Sequence, residues 1–263
     1  MVILFQVGDL VILKNDKKPY IYRIDEIIKK DVISYHLIGY SYRMNCYVTA
    51  DEIIKATDKQ IKSEDDKNDD YLKRIKKSTS ERNNRSVLFG RILHLDGDLK
   101  FLESCLNLYK DLKIPAEGLF IPENKLTKQI ENLIMKLTPD IIVVTGHDSY
   151  NKQGIRDLNN YENSRNFIET VRIIRKHFNI DSVVVIAGAC ASHFEAIIAS
   201  GANFASSPDR INTHTYDPAI VAIKVATTGF NRIVDFNHIL KHIENGRGAI
   251  GGVETYGKMR LLL

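Results

Sequence analysis

The chain has 263 residues, 44% of them hydrophobic and 27% charged, with a formal net charge of +4. That composition is ordinary for a globular protein, leaves room for one large core or two smaller ones, and carries too small a basic excess to favour nucleic acid as a partner. Three widely spaced cysteines, Cys46, Cys105 and Cys190, form neither a C-x-x-C pair nor an even framework, so they read as reduced thiols of a cytosolic-type compartment.

The apolar start, Met1-Val2-Ile3-Leu4-Phe5, lacks a basic leader and reads as a first strand rather than a signal peptide. No apolar run reaches the ~18 residues that would suggest a bilayer span. Over residues 1–56, short β-branched and aromatic runs alternate with turn residues, which predicts a small SH3-like β-barrel. Its tyrosines are assigned to packing, and Cys46 to a buried position within a strand. Residues 57–86 are a charge run with little apolar surface to bury, expected to be a linker with at most a solvated helical part. A domain boundary is expected near Ser86.

Residues 87–263 change to a β-α-β-α rhythm. Residues 87–95 read as a strand ending at Asp96-Gly97-Asp98, and Leu99, Leu102, Leu106, Tyr109 and Leu112 as the inner stripe of a helix, with Cys105 beside it. Residues 118–121 make a second strand. Leu126, Ile130, Leu133, Ile134 and Leu137 mark a second helix, stopped by Pro139. Two further strands, Ile141-Ile142-Val143-Val144-Thr145 and Val183-Val184-Val185-Ile186-Ala187, are β-branched runs without alternation, as in strands buried on both faces of a parallel sheet. Between them, Phe167, Ile168, Val171, Ile174 and Phe178 line one helical face. Residues 201–218 read as a polar loop, residues 219–225 and 236–243 as helices, and residues 258–263 as a last strand.

Both β-branched strands should end at the same sheet edge, where open α/β folds bind ligands. The first is followed by Gly146-His147-Asp148, the second by Gly188-Ala189-Cys190-Ala191-Ser192. A thiol is nucleophilic as the thiolate, which a neighbouring imidazole favours, and the same imidazole can protonate a departing amine. Small residues around Cys190 allow close approach of a peptide backbone, and the N–H of Cys190 is a candidate oxyanion donor. His147 and Cys190 are therefore the candidate catalytic pair. A histidine after one strand and Ala-Cys after the next, roughly 50 residues on, resembles a caspase-like plan. Here, though, Gly precedes the histidine and Asp148 follows it, which leaves the second oxyanion donor unassigned.

A closer resemblance covers nearly the whole chain. The segments Leu93-His94-Leu95-Asp96-Gly97-Asp98, Thr145-Gly146-His147-Asp148-Ser149-Tyr150, Gly188-Ala189-Cys190-Ala191-Ser192-His193-Phe194-Glu195, Gly201-Ala202-Asn203-Phe204-Ala205-Ser206-Ser207-Pro208 and Gly251-Gly252-Val253-Glu254-Thr255 are similar, in this order, to those of the sporulation-specific YabG peptidase family. The resemblance implies a cysteine endopeptidase made in the mother cell of spore-forming bacteria. Its substrates would be spore coat and morphogenetic proteins or germination precursors, cut after arginine, with Cys190 as nucleophile and His147 as partner. It also implies a cytoplasmic location with association to the coat.

An arginine-selective pocket needs a carboxylate, and Asp96, Asp148, Asp209 and Glu254 are the candidates. Self-cleavage in the linker would fall after Arg74, Arg82 or Arg85. Nothing resembles a zinc cluster, a P-loop or a dinucleotide fingerprint, so no cofactor and no metal are expected. Two other readings remain open. Gly188-x-Cys190-x-Ser192 also fits a nucleophile elbow, whose histidine would follow the nucleophile as His193 or His214. In the other, the barrel and linker serve as a nucleic-acid or scaffold adaptor.

Overall fold

In the N-terminal part, runs of β-branched and aromatic residues too short for helices pair as antiparallel strands: β1 (Leu10–Leu13), β2 (Ile21–Lys29), β3 (Ile33–Gly39), β4 (Asn45–Thr49) and β5 (Ile53–Lys55). They form one sheet in the order β4-β3-β2-β1-β5. Val11, Ile24, Tyr35, Leu37 and Ile53 form its buried core. Cys46 lies in β4 but is only half-buried. The computed structural model describes residues 5–16, 18–30, 32–80 and 87–262. The expected start of a first strand at Met1 to Leu4, the boundary at Ser86 and the candidate cleavage residues Arg82 and Arg85 lie outside the described residues.

The charge run, expected as a linker, contains a 23-residue helix, α1 (Asp58–Ser80). Tyr71 and Ile75, one turn apart and thus on one face, are buried in the core of the C-terminal part. The Tyr71 hydroxyl donates to Asp217 Oδ1 at 2.7 Å. Two apolar anchors on one stripe are enough to dock a helix whose other faces remain solvated.

The second part begins with β6 (Val87–Leu88), then alternates β7 (Ile92–Asp96), α2 (Leu99–Asp111), β8 (Ala116–Phe120), α3 (Leu126–Leu137), β9 (Ile141–Thr145), α4 (Ser164–His177), β10 (Val184–Ala187), α5 (Phe194–Ala199) and β11 (Phe204–Ser206). It closes with α6 (Asp217–Thr227), α7 (Phe236–Leu240), β12 (Ile250–Gly252) and β13 (Arg260–Leu261), the last pairing with β6. The six-stranded sheet runs β12-β11-β10-β9-β7-β8, parallel throughout except for the β11–β12 edge pair. Leu93, Leu95, Ile142, Val144 and Val185 pack on one face against Ile130, Ile134, Phe167 and Val171 of α3 and α4. Ile92, Val143, Val184 and Ile186 pack on the other against Cys105, Tyr109, Val221 and Ala222 of α2 and α6. This two-sided cover explains the unbroken apolar runs.

Two strands were not expected. β11 falls in the segment read as a polar loop, and β12 in a glycine-rich stretch; each has three residues, too few for a period to show. The expected strand over 87–95 is two pieces, β6 and β7. Among the described residues no helix is long and apolar enough to cross a membrane. Phe167 is fully enclosed between α3, α4 and the sheet, so Phe167→Ala should cost about 3–5 kcal/mol, seen as a lowered urea midpoint with unchanged slope.

Candidate active site

β9 and β10 pair in parallel with Val144 opposite Ala187. His147 and Cys190 each follow three residues after those partners, so the expected pair leaves neighbouring strands at one edge. Asp98, from the turn after β7, joins them there. Its Oδ1 caps α2 by accepting from the N–H groups of Lys100 at 2.8 Å and Phe101 at 3.1 Å. Its Oδ2 faces His147 Nε2 at 3.2 Å and Arg23 Nη2 of β2 at 3.5 Å. Burial is the largest influence and works against the Asp98 charge, but the His147 hydrogen bond and charge together with the Phe101 N–H hold the carboxyl below its ordinary value. The other imidazole nitrogen, Nδ1, is buried without a hydrogen-bond partner among the described residues. A carboxylate on one ring nitrogen and an open second nitrogen is the disposition of an oriented general acid–base.

The backbone of His147 is fixed separately. Its N–H donates to Glu123 Oε1 at 2.7 Å. That carboxylate lies against two glycines: a Cβ at Gly97 or Gly146 would meet Glu123 Oε1 at 2.1 or 2.2 Å. Both glycines of the Asp-Gly-Asp and Gly-His motifs thus admit one side chain that the sequence reading did not single out.

Cys190 lies in the turn between β10 and α5, followed by Ala191 in the left-handed region at φ 56°, a conformation that costs a non-glycine residue about 1 kcal/mol or more. The turn is tied down by Ala189 N–H donating to Ser192 Oγ (2.9 Å) and Ala191 N–H donating to Ser207 Oγ (3.0 Å). Among the described residues the N–H of Cys190 meets no acceptor. The sulfur accepts from Thr213 N–H at 3.0 Å and packs among Tyr42, Met44 and the N-terminal core. Burial pushes its pKa up to about 12, against the opposing Thr213 hydrogen bond and the nearby Arg43 charge. No hydrogen bond joins His147 to Cys190; the N-terminal sheet is packed over the sulfur.

The candidate carboxylates separate clearly. Asp96 is fully buried and receives Arg43 Nη1 at 2.7 Å. Asp148 is also buried, accepting from Ser149 N–H, Asn163 N–H, Ser164 Oγ and Ser192 Oγ, which ties the His147 loop to the Cys190 turn. Burial raises its pKa to about 6 against those hydrogen bonds. Asp209 and Glu254 are exposed. His193 caps α5, its Nδ1 accepting from Ala196 N–H at 3.3 Å while Nε2 faces the Arg156 carbonyl at 3.4 Å. His214 accepts from Tyr216 N–H on Nδ1 (3.3 Å) and meets Asn68 Oδ1 with Nε2 (3.0 Å); burial lowers its pKa to about 4. Both nitrogens of each are therefore engaged. Among the described residues no cluster of three or more His, Cys, Asp or Glu is arranged to hold a metal.

The fold and site define a mixed α/β protein that gathers a thiol, an imidazole and three buried carboxylates, Asp96, Asp98 and Asp148, at the carboxyl edge of a mostly parallel sheet. The family model for YabG peptidase U57 matches residues 6–263, and the chain belongs to that family. It is 45% identical over 175 residues to the sporulation-specific protease YabG of Bacillus subtilis (strain 168). That alignment covers 65% of this chain and 60% of the relative. No solved structure matches the chain.

With all three thiols shifted upward by burial, iodoacetamide at pH 8 should modify the folded protein far more slowly than the urea-unfolded chain. Peptide mass mapping of Cys190 checks this; equal rates in the two states would contradict the covered thiol.

Proposed function

We propose that this chain is a cysteine endopeptidase cutting after arginine, with Cys190 as nucleophile and His147 as acid–base, oriented by Asp98. The carrying observation is the state of His147: Nε2 held by Asp98 and Nδ1 buried but unpartnered, at the sheet edge shared with Cys190. Once Cys190 is uncovered, its proton passes to Nδ1 and Sγ bonds to the scissile carbonyl carbon. The C–N bond then breaks as the leaving amine takes the proton from His147. Water, deprotonated by the same imidazole, attacks the thioester and releases the thiol and a carboxylate product. The free Cys190 N–H would donate to the oxyanion.

The strand order supports the finer fold reading. An antiparallel sheet in the order β5-β1-β2-β3-β4 suits an SH3-like barrel. The β8-β7-β9-β10-β11 order, with the histidine after β9 at the switch point and Ala-Cys after the adjoining β10, suits a caspase-like domain. The proposed division is a barrel over 1–56, a connector over 57–86 and a peptidase domain over 87–263. Kinship with a sporulation-specific protease supports substrates among spore coat, morphogenetic or germination-precursor proteins, acting in the mother cell or at the coat.

Wild type incubated with arginine-containing peptides should yield fragments ending in arginine, and Cys190→Ala should yield none by mass spectrometry. His147→Ala should lower kcat/KM at least 100-fold. His193→Ala and His214→Ala, if folded, should retain activity within about tenfold; loss with either, and retention with His147→Ala, would transfer the role to the elbow arrangement.

A further inference from the structure

Arg43 is an unusual residue to find without any exposure, and among the described residues the hydrogen bonds, ion pair and ring contact of its side chain are all to the C-terminal part. Nη1 lies 2.7 Å from Asp96 Oδ2, Nε and Nη2 donate to the Thr215 carbonyl at 3.3 and 3.2 Å, Nη2 is 3.8 Å from Cys105 Sγ, and the guanidinium sits 5.2 Å from the Phe101 ring centroid. The pocket is itself braced: Thr145 Oγ1 donates to Asp96 Oδ2 (2.9 Å), and His94 lies between Thr145 and the Tyr109 hydroxyl.

The backbone beside Arg43 behaves as a bound peptide would. Arg43 N–H donates to the Thr213 carbonyl at 3.0 Å, Thr215 N–H donates to the Ser41 carbonyl at 3.0 Å, and Tyr42 faces His214 in an antiparallel bridge. Two backbone hydrogen bonds flanking one antiparallel bridge, with one side chain in a deep pocket, resemble on a small scale the pairing a peptide makes in β-strand addition. The same Thr213 donates its N–H to Cys190 Sγ, so the paired segment runs directly past the sulfur. Tyr42 and Met44, flanking Arg43, are in the cluster that contains Cys190.

We infer that Ser41-Tyr42-Arg43 occupies the chain's own substrate groove, with Thr213–Thr215 as the segment whose backbone pairs with a peptide and Asp96 as the carboxylate that selects arginine. This rests on the peptidase reading above and deepens it: the specificity pocket is filled from within, and an arginine peptide must displace the N-terminal hairpin to enter. Met44 N–H returns to the Tyr42 carbonyl at 2.8 Å, a tight turn centred on Arg43 that differs from an extended substrate and suits an occupant that blocks.

The test uses the full chain carrying Cys190→Ala, so that binding is read apart from catalysis. Fluorescein-labelled Ser-Tyr-Arg-amide should bind at least tenfold more tightly when Arg43→Ala or Arg43→Gln is added, by fluorescence polarisation. The Ser-Tyr-Glu analogue should not gain, and adding Asp96→Asn should remove the gain. A folded Arg43 variant, verified by thermal melting, that binds no better than its parent would overturn the inference and leave Arg43 as a tie between domains. If neither variant folds, hydrogen exchange decides. Saturating tripeptide should speed exchange at the Arg43 and Thr215 amides of the Cys190→Ala chain, and unchanged exchange overturns the proposal. Binding gained in these variants, with no cleavage by chains retaining Cys190, would instead count against the peptidase chemistry alone.

Discussion

The ion pair between Arg43 and Asp96 is the constraint on which the rest of the arrangement hangs. Neither side chain has any exposure, and taking two charges out of water costs several kcal/mol per ion, so the pair persists only if its surroundings complete it. Besides the ion pair with the guanidinium, Asp96 accepts hydrogen bonds from Thr145 Oγ1 and the Asp98 N–H, both at 2.9 Å. Arg43 has the Thr215 carbonyl and an aromatic face. Burial alone would neutralise either group, but each holds the other charged, with Asp96 well below the ordinary carboxylate range. Removing one partner would strand the other, a loss of about 3–5 kcal/mol.

That pair also bears on the covering of Cys190. Because Arg43 lies in the connection between β3 and β4 of the N-terminal part, seating its side chain goes with Tyr42 and Met44 packing over Cys190, where little water reaches the sulfur. A thiol so enclosed stays protonated at neutral pH, whereas His147 is held by Asp98 through Nε2 and leaves Nδ1 buried without a hydrogen-bond partner among the described residues. Arg23 meeting Asp98 Oδ2 makes a second contact from the same sheet to the same edge. The orientation of His147 and the covering of Cys190 thus rest on different contacts, Asp98 for the first and the Tyr42–Met44 segment for the second.

Much of the C-terminal part was legible in its residues. Unbroken β-branched runs ended by glycine located β9 and β10, and apolar spacing located α2, α3 and α4 nearly to their ends. The positions of His147 and Cys190 at one edge followed from parallel pairing alone. Other features were not legible for definite reasons. Three-residue strands such as β11 carry no period. The buried face of α1 rests on two residues in a highly charged helix. Asp98 reads locally as a helix cap, which it is, and only the fold adds its second partner. Arg43 and Glu123 look like ordinary polar residues, because their partners lie far along the chain.

Local pattern, set by side-chain periodicity and backbone stereochemistry, determined the alternation of strands and helices and the edge to which His147 and Cys190 are delivered. Tertiary structure alone decided which carboxylate among four took a guanidinium, and whose guanidinium it was. Burial and long-range pairing depend on the summed packing of segments that have no contact in sequence. The charge state of Asp96 and the covering of Cys190 therefore belong to the folded assembly rather than to any stretch of residues.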